Sequence, residues 1–182
     1  SRQTDRKKIR SLRKLGKINF VIGKDEYEKK KIYNFTIINK ARFLKKKNFS
    51  KDYIKHFLSF YKKLYKNIIY NNAYIFSCIK IDDEIVASIF GSCFNRTYYY
   101  LIPSNKNGSF EKFSLGRLIL INQIKWAISN KISFFNLGPG KQLYKKHWYN
   151  NQELHVDVMY SSKFKGTVFY ILYCIYNLFK NK

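Results

Sequence analysis

Residues 97–140 read TYYYLIPSNKNGSFEKFSLGRLILINQIKWAISNKISFFNLGPG, and this stretch decides the fold. A β-rich run (97–103) closes at a proline, a polar loop (104–109) follows, and residues 114–130 carry apolar side chains at helical spacing. A second short apolar run (132–138) reads as a buried strand and ends in Gly-Pro-Gly. Strand, helix and strand in this order form a crossover unit, which predicts two parallel strands in one sheet.

The flanking sequence predicts more elements on both sides of this unit. YIFSCIKI (74–81) and IVASIFGSCF (85–94) are joined by three acidic residues and predict an antiparallel hairpin. Further strands are predicted at 18–23 and 154–161, and helices at 5–15, 24–46, 50–65 and, in short form, 141–150. The fold class is therefore α/β, with a mixed sheet that is antiparallel at its start, parallel in its middle and flanked by helices.

The length of 182 residues predicts a single domain over 1–182. Within it we expect a basic helical front half (1–73), a sheet core (74–161) and an apolar C-terminal helix (162–182). The chain opens SRQTDRKKIR, without an initiator methionine or an apolar signal segment. We therefore expect the C-terminal part of a longer protein, whose missing N-terminal domain precedes Ser1.

The net charge is +25 and is unevenly distributed, since residues 1–66 carry 22 basic and 5 acidic side chains, a net +17. Such a field favours phosphates, nucleic acid or an anionic membrane surface. Lysines outnumber arginines 29 to 7 in a chain crowded with Ile, Asn, Tyr and Phe. A genome rich in AT codons is the alternative source of this charge.

The three cysteines and three histidines give no sign of a metal or disulfide framework. Cys78, Cys93 and Cys174 are widely spaced and form no C-x-x-C pair, and the histidines lack metal-ligand spacing. We expect reduced, buried thiols, a cytoplasmic location and no metal.

The predicted helix that opens at Ser114-Leu115-Gly116-Arg117 is a candidate anion site. Its first N–H groups have no partner within the helix and carry the positive end of the helix dipole. Gly116 lets a phosphate approach the backbone, and Arg117 adds a fork of donors. The alternative is an ordinary serine cap with an incidental glycine.

The second candidate lies where the 132–138 strand ends in Gly138-Pro139-Gly140. In open sheets with parallel strands, ligands bind at the carboxyl ends of those strands. Tyr144 can donate a proton to a leaving thiolate, and Lys145 can hold an anion. The alternative is a tight turn followed by a surface helix.

These elements together resemble the GNAT acyltransferase fold, and within it the Fem/CelD-like bacterial acyl- and aminoacyl-transferases. The resemblance rests on YYYLIP, on S-x-G opening a helix, on FFNLGPG and on the Tyr144-Lys145 pair. It implies an acyl-CoA donor, or aminoacyl-tRNA as the alternative, and an amine acceptor. Donor-binding residues would be Ser114, Leu115, Gly116, Arg117, Gly138 and Gly140.

The resemblance also implies a mechanism, that of an N-acyltransferase with direct amine attack on the acyl carbon. Tyr144 would be the acid and Lys145 an anion-binding or electrostatic residue, while Glu153 and Asp157 are weaker candidates for a base. The sequence departs from the family pattern at three places. Glu111 replaces Arg or Gln, Ser114 replaces a glycine, and Asn136 replaces an aspartate.

Two other interpretations stay open. Lysines and aromatics interleave over 57–67, as in a non-catalytic module that binds nucleic acid, including tRNA, or an anionic surface. Helical spacing of the same aromatics favours core packing instead. The apolar tail (167–182) either covers a domain or docks on a membrane surface, because about 20 residues are needed to cross a bilayer.

Overall fold

The computed structural model describes residues 2–140, 142–153, 166–168 and 170–173. Their contacts divide the chain into two compact units, residues 1–140 and 141–182. The first unit holds the sheet and its helices. The described part of the second contains a 3₁₀ helix, Leu143–His147, and helical residues at 166–168 and 170–173. The predicted strand at 154–161 lies outside the described residues, and the single domain over 1–182 stays a prediction.

The α-helices of the first unit lie where the sequence predicts them, with ends that differ by a few residues, and a 3₁₀ helix that the sequence did not predict, Gly108–Phe113, precedes the last of them. They are α1 (Arg2–Arg13), α2 (Glu26–Lys46), α3 (Lys51–Ile68) and α4 (Leu115–Ser129). The Asp25 carboxylate accepts a hydrogen bond from the Glu28 amide at 2.8 Å, and the Ser50 hydroxyl accepts one from the Tyr53 amide at 3.1 Å. These caps fix where α2 and α3 begin, because they satisfy amides that have no partner within the helix.

The sheet confirms the predicted mixed topology. Its described strands are β1 (Ile18–Ile22), β2 (Tyr74–Ile81), β3 (Glu84–Phe94), β4 (Thr97–Asn105) and β5 (Phe134–Asn136), in the spatial order β1-β2-β3-β4-β5. The first four strands pair antiparallel, whereas β4 and β5 pair parallel. The crossover through α4 produces this parallel pair, as the strand–helix–strand order requires.

Helices cover both faces of the sheet. The Ser77 hydroxyl on β2 donates to Gln123 Oε1 on α4 at 2.6 Å, and both side chains are fully buried. The neighbouring Phe76 and Cys78 instead join Tyr33 of α2 in the main apolar cluster. Because successive residues of a strand point to opposite faces, α4 and α2 lie on opposite sides of β2.

The helix α3 divides its aromatic residues between the core and solvent. Phe57 and Tyr61 pack against the main apolar cluster. Tyr53 and Phe60 are 50% and 57% exposed. Core packing therefore accounts for only part of the aromatic run that the sequence contains at 57–67.

One residue in β4 breaks the regular register with β3. Gly91 of β3 pairs with Tyr100 of β4, but the preceding residue Phe90 pairs with Ile102. Leu101 is therefore an extra residue of β4 that has no opposite residue in β3. This arrangement is a β-bulge, which bends a strand and interrupts its pairing. The sequence pattern of YYYLIP gave no sign of it.

The bulge moves the buried side chains of β4 from one face of the sheet to the other. Before it, Tyr98 lies 6.0 Å from the Trp126 ring of α4. After it, Ile102 belongs to the apolar cluster on the α2 side, and the Ser104 hydroxyl donates to the Thr36 carbonyl of α2 at 2.7 Å. In an unbroken strand these even-numbered residues would all point to one face. A single strand thus contributes to both layers of the core.

The strand β5 is shorter and more exposed than the sequence predicts. It covers 134–136 rather than 132–138, and Phe134 is 67% exposed. The expectation of a buried strand is wrong for this residue because, among the described strands, β5 has β4 as its neighbour on one side and none on the other. An apolar run alone does not reveal a position at the edge of the described sheet.

Replacing Gly91 with alanine should destabilise the protein by about 1–3 kcal/mol, the usual cost of overpacking a core. A Cβ at this position would enter the phenol ring of Tyr98 and lie 2.8 Å from the Tyr99 carbonyl oxygen. Urea unfolding of Gly91→Ala measures the loss. Gly108→Asn is the control, since a Cβ there meets nothing within 4 Å and asparagine tolerates its φ of +81°. Equal stability of Gly91→Ala and the wild type would show that the Tyr98 ring can move aside.

Candidate active site

The parallel pair β4–β5 stops well before β4 ends. Its register runs from Thr97–Phe134 to Tyr99–Asn136, while β4 continues to Asn105. The bulged Leu101 comes two residues after the last pair. The described pairing of the two parallel strands therefore ends at Tyr99 and Asn136, before β4 reaches its own end. In open sheets, ligands bind at the carboxyl ends of parallel strands, and this place is such an end.

The turn after β5 is built by glycine conformation and one asparagine side chain. Gly138 and Gly140 have φ values of +76° and +97°, in the region that favours glycine. The Gly138 amide donates to Asn136 Oδ1 at 2.7 Å. Asparagine accepts this hydrogen bond as an aspartate would, so the turn forms without the carboxylate of the family pattern. A Cβ at Gly138 would lie 3.6 Å from the Tyr100 carbonyl oxygen, so the turn passes beside β4.

The start of α4 lies against the end of β4. Ser114 precedes the helix with φ 54° and ψ 47°, and its side chain makes no capping hydrogen bond. The first hydrogen bond within the helix is donated by the Arg117 amide to the Ser114 carbonyl at 2.9 Å. The Leu115 and Gly116 amides come before that bond, and so belong to the unpaired first turn of a helix. A Cβ at Gly116 would lie 3.0 Å from Asn105 Nδ2, so a larger residue would have to displace Asn105.

The helix α1 packs on the start of α4. The Lys8 ammonium donates to Ser114 Oγ at 2.6 Å, and Arg117 Nε donates to both carboxylate oxygens of Asp5 at 2.9 Å. Leu12, one turn after Lys8, is fully buried and anchors the helix. The structure thus places the predicted Ser114 and Arg117 in contact with α1. It also adds Lys8, a cation that the sequence had shown only as part of a basic helix.

The family pattern places an Arg or Gln at position 111, where this chain has Glu111. Its carboxylate lies 3.0 Å from Lys46 Nζ at the end of α2, and the two side chains are 52% and 63% exposed. The hydrogen bond from Lys46 lowers the pKa of Glu111, and the Lys46 charge is the next cause. Lys46 therefore offsets the negative charge that Glu111 brings near the start of α4.

Tyr144 and Lys145 lie on the 3₁₀ helix of the second unit. Tyr144 is 44% exposed, whereas Lys145 is 7% exposed. Partial burial raises the pKa of Tyr144 and lowers the pKa of Lys145. The tyrosine thus keeps its proton, and the lysine loses its proton more readily than a free lysine does. Of the two weaker candidates, Glu153 is exposed and Asp157 lies outside the described residues.

Over the part of the chain that the structure describes, no group of three or more His, Cys, Asp or Glu side chains is placed to hold a metal ion. Burial raises the pKa of the Cys78 thiol to about 12. This thiol is fully buried and carries no charge at neutral pH.

A mixed sheet whose parallel pair ends beside a bulge, with a glycine-bearing helix start at its end, is the architecture of the GNAT fold. The family model described as the acetyltransferase (GNAT) domain matches residues 1–146. The chain belongs to this GNAT acetyltransferase family, which confirms the resemblance found in the sequence.

Solved structures share this fold at low sequence identity. An aminoglycoside acetyltransferase from an uncultured soil metagenomic sample, in complex with sisomicin, is 12% identical with a TM-score of 0.57, covering 84% of this chain and 99% of its own. A GNAT family acetyltransferase of Staphylococcus aureus subsp. aureus USA300_TCH1516 is 11% identical with a TM-score of 0.50, covering 78% and 98%. No functionally curated protein matches the sequence.

Proposed function

We propose that this protein transfers an acetyl group from acetyl-CoA to a primary amine. The observation that carries the proposal is the end of the β4–β5 pairing beside the Leu101 bulge. In a member of the GNAT acetyltransferase family, that place suits a donor whose acyl group lies along the β4 backbone. Gly116, with the amides at the start of α4, suits the anionic part of the donor.

We infer that the start of α4 receives the diphosphate of such a donor. The diphosphate would contact the Gly116 amide, the bare Cα of Gly116 and the Lys8 ammonium, whereas Leu115 is only 3% exposed. Lys8 has three N–H donors and gives one to Ser114, so it can also donate to a phosphate. Lys8 would thus supply the positive charge that the arginine of the family pattern brings at the position of Glu111. Arg117, paired with Asp5 through Nε, would also tie α1 to the helix start beside the donor.

The chemistry of the transfer is simple in outline. The lone pair of the acceptor amine forms a bond to the acyl carbon, and the carbon–sulfur bond of the thioester breaks. Backbone N–H groups of β4 would hold the carbonyl oxygen while charge develops on it. The leaving thiolate would take a proton from an acid, for which Tyr144 stays the candidate predicted from the sequence; the acid would regain a proton as the new amide releases its excess proton to solvent.

The net positive charge of the chain favours some acceptor amines over others. One structural neighbour is an aminoglycoside acetyltransferase, but an acceptor with several positive charges would be repelled by a chain of net charge +25. We therefore propose an amine on a molecule that also carries negative charge. Attraction between opposite charges would raise the rate of encounter, and salt would weaken it.

Aminoacyl-tRNA is the alternative donor, and the +17 charge of residues 1–66 favours it. The exposed rings of Tyr53 and Phe60 on α3 could stack on unpaired bases. Binding of tRNA should weaken steeply with salt, whereas binding of acetyl-CoA should depend on it modestly. Calorimetry with both ligands at two salt concentrations distinguishes the two donors, and binding of tRNA without any transfer of an aminoacyl group would indicate a non-catalytic module.

Replacing Gly116 with valine should weaken acetyl-CoA binding at least about tenfold, which corresponds to about 1.4 kcal/mol. The branched side chain would fill the space beside the first amides of α4. Calorimetry measures the affinity, and circular dichroism checks the fold. The double variant Gly116→Val/Asn105→Ala relieves the contact with Asn105, so a loss of binding that persists in it comes from the donor site itself. Unchanged affinity in both variants would contradict a donor site at the start of α4.

Replacing Lys8 with glutamine should raise the KM for acetyl-CoA about three- to tenfold and change kcat little, because a partly exposed charge-assisted contact contributes modestly. Lys7→Gln is the matched control. It removes the same charge from the same helix at an exposed position. Equal effects of the two substitutions would mean that only the general field of the chain attracts the donor.

Replacing Tyr144 with phenylalanine should lower kcat about 100-fold or more, the usual contribution of a positioned acid, and leave acetyl-CoA affinity unchanged. Since its raised pKa keeps Tyr144 protonated, wild-type kcat should not fall between pH 7 and 9 through loss of this proton. A Tyr144→Phe variant with wild-type kcat would exclude the tyrosine as the acid. The variant Tyr149→Phe, at a second exposed tyrosine of the same unit, is the control.

A further inference from the structure

Ser114 holds a backbone conformation that serine seldom adopts. Its φ of 54° and ψ of 47° lie in the left-handed region, which is less favourable for a residue with a Cβ than for glycine. The family pattern has a glycine at this position, so this chain keeps a side chain where the backbone favours none. The Ser114 side chain makes no capping hydrogen bond to α4. A conformation of this kind at a candidate site indicates that the side chain has another use.

The use that the structure shows is a contact with Lys8. The Ser114 hydroxyl accepts a hydrogen bond from the Lys8 ammonium at 2.6 Å, and both residues are partly buried. A lysine ammonium sits on a long flexible stem, so a partner is needed to fix its position. Ser114 comes two residues before Gly116, whose amide belongs to the unpaired first turn of α4. The hydroxyl therefore holds a positive charge beside the start of this helix.

The packing of α1 on α4 brings Lys8 within reach of Ser114. Leu12 of α1 is fully buried, and Arg117 Nε of α4 donates to both carboxylate oxygens of Asp5 at 2.9 Å. The cleft between the two helices, which Lys8 and Ser114 help to line, has a volume of about 10 Å³. That is about the space of a single water. The protein itself therefore fixes the ammonium, and a donor would have to meet it from outside this cleft.

We propose that Ser114 is a positioning residue, which holds the Lys8 ammonium for the diphosphate of acetyl-CoA. This inference rests on the proposed function and adds a role for Ser114 that needs no contact between the serine and the donor. The docking of α1 and the binding of the donor would stabilise each other, because only the docked helix places its ammonium beside the donor. A glycine at position 114 would relax the backbone and release Lys8.

Two substitutions separate the hydroxyl from the backbone conformation. Ser114→Ala removes the hydroxyl but keeps a Cβ in the left-handed region, whereas Ser114→Gly removes the hydroxyl and favours that region. Calorimetry should show that both variants bind acetyl-CoA about three- to tenfold more weakly than the wild type. Ser114→Gly should nevertheless unfold at a higher urea concentration than Ser114→Ala. Wild-type affinity in either variant would overturn the positioning role, since the hydroxyl would then not matter.

The double variant Lys8→Gln/Ser114→Ala tests whether the two residues act together. Once the ammonium is gone, removal of the hydroxyl should weaken binding little further, so the two losses should not add. Additive losses would overturn the proposal, because Ser114 would then act without Lys8. S-acetylpantetheine, which lacks the diphosphate, is the control ligand. Its affinity should be the same in the wild type and the variants, and an equal loss for both ligands would indicate a disturbed fold instead.

Hydrogen exchange gives a readout that does not depend on acetyl transfer. Acetyl-CoA should slow the exchange of the α1 amides by the same factor of about three to ten, since coupling between two sites is reciprocal. This protection should be lost in Ser114→Ala, and unchanged exchange in the wild type with acetyl-CoA bound would overturn the coupling. A wild type that binds no acetyl-CoA would overturn the proposed function as well. Binding that is equally tight in the wild type and Ser114→Ala would overturn this inference alone.

Discussion

The extra residue in β4 is the constraint on which the rest of the first unit depends. Leu101 has no place in the regular register. The buried Tyr98 before it therefore faces α4, and the buried Ile102 after it faces α2. Both helical layers are therefore fixed to one strand. The same bulge lies two residues after the last β4–β5 pair, so one irregularity places β4 side chains in both layers of the core and coincides with the end of that pairing.

The start of α4 shows how contacts between distant segments can replace a local motif. Glu111 and Ser114 depart from the residues that the family pattern has at these positions, and each is paired with a lysine from elsewhere in the fold. Lys46 offsets the charge of Glu111, and Lys8 adds a positive charge next to Ser114. Both lysines come from other helices, α2 and α1, so a comparison of short motifs cannot detect them.

The sequence predicted the features that depend on the chemistry of neighbouring residues. It missed those that depend on strand register or on contacts between residues far apart in the chain. The Ser50 cap and the crossover at 97–140 follow from residue type and order, so both were predictable. The hydrogen bond from the Gly138 amide to Asn136 could also have been inferred, since asparagine two residues before a glycine favours such a turn. The Leu101 bulge could not, because YYYLIP is compatible with an unbroken strand. Nor could the contact between Lys8 and Ser114, which joins residues 106 positions apart.

The length of that separation has a consequence for synthesis on the ribosome. The helix α1 is made among the first elements of this segment, but Ser114 and Arg117 follow 106 and 112 residues after their partners Lys8 and Asp5. At about 5–20 residues per second, many seconds pass between the synthesis of α1 and the synthesis of the α4 residues on which it packs. During that interval its basic side chains are open to other polyanions, ribosomal RNA among them. Docking of α1 on the start of α4 is therefore a late event in the maturation of the nascent chain.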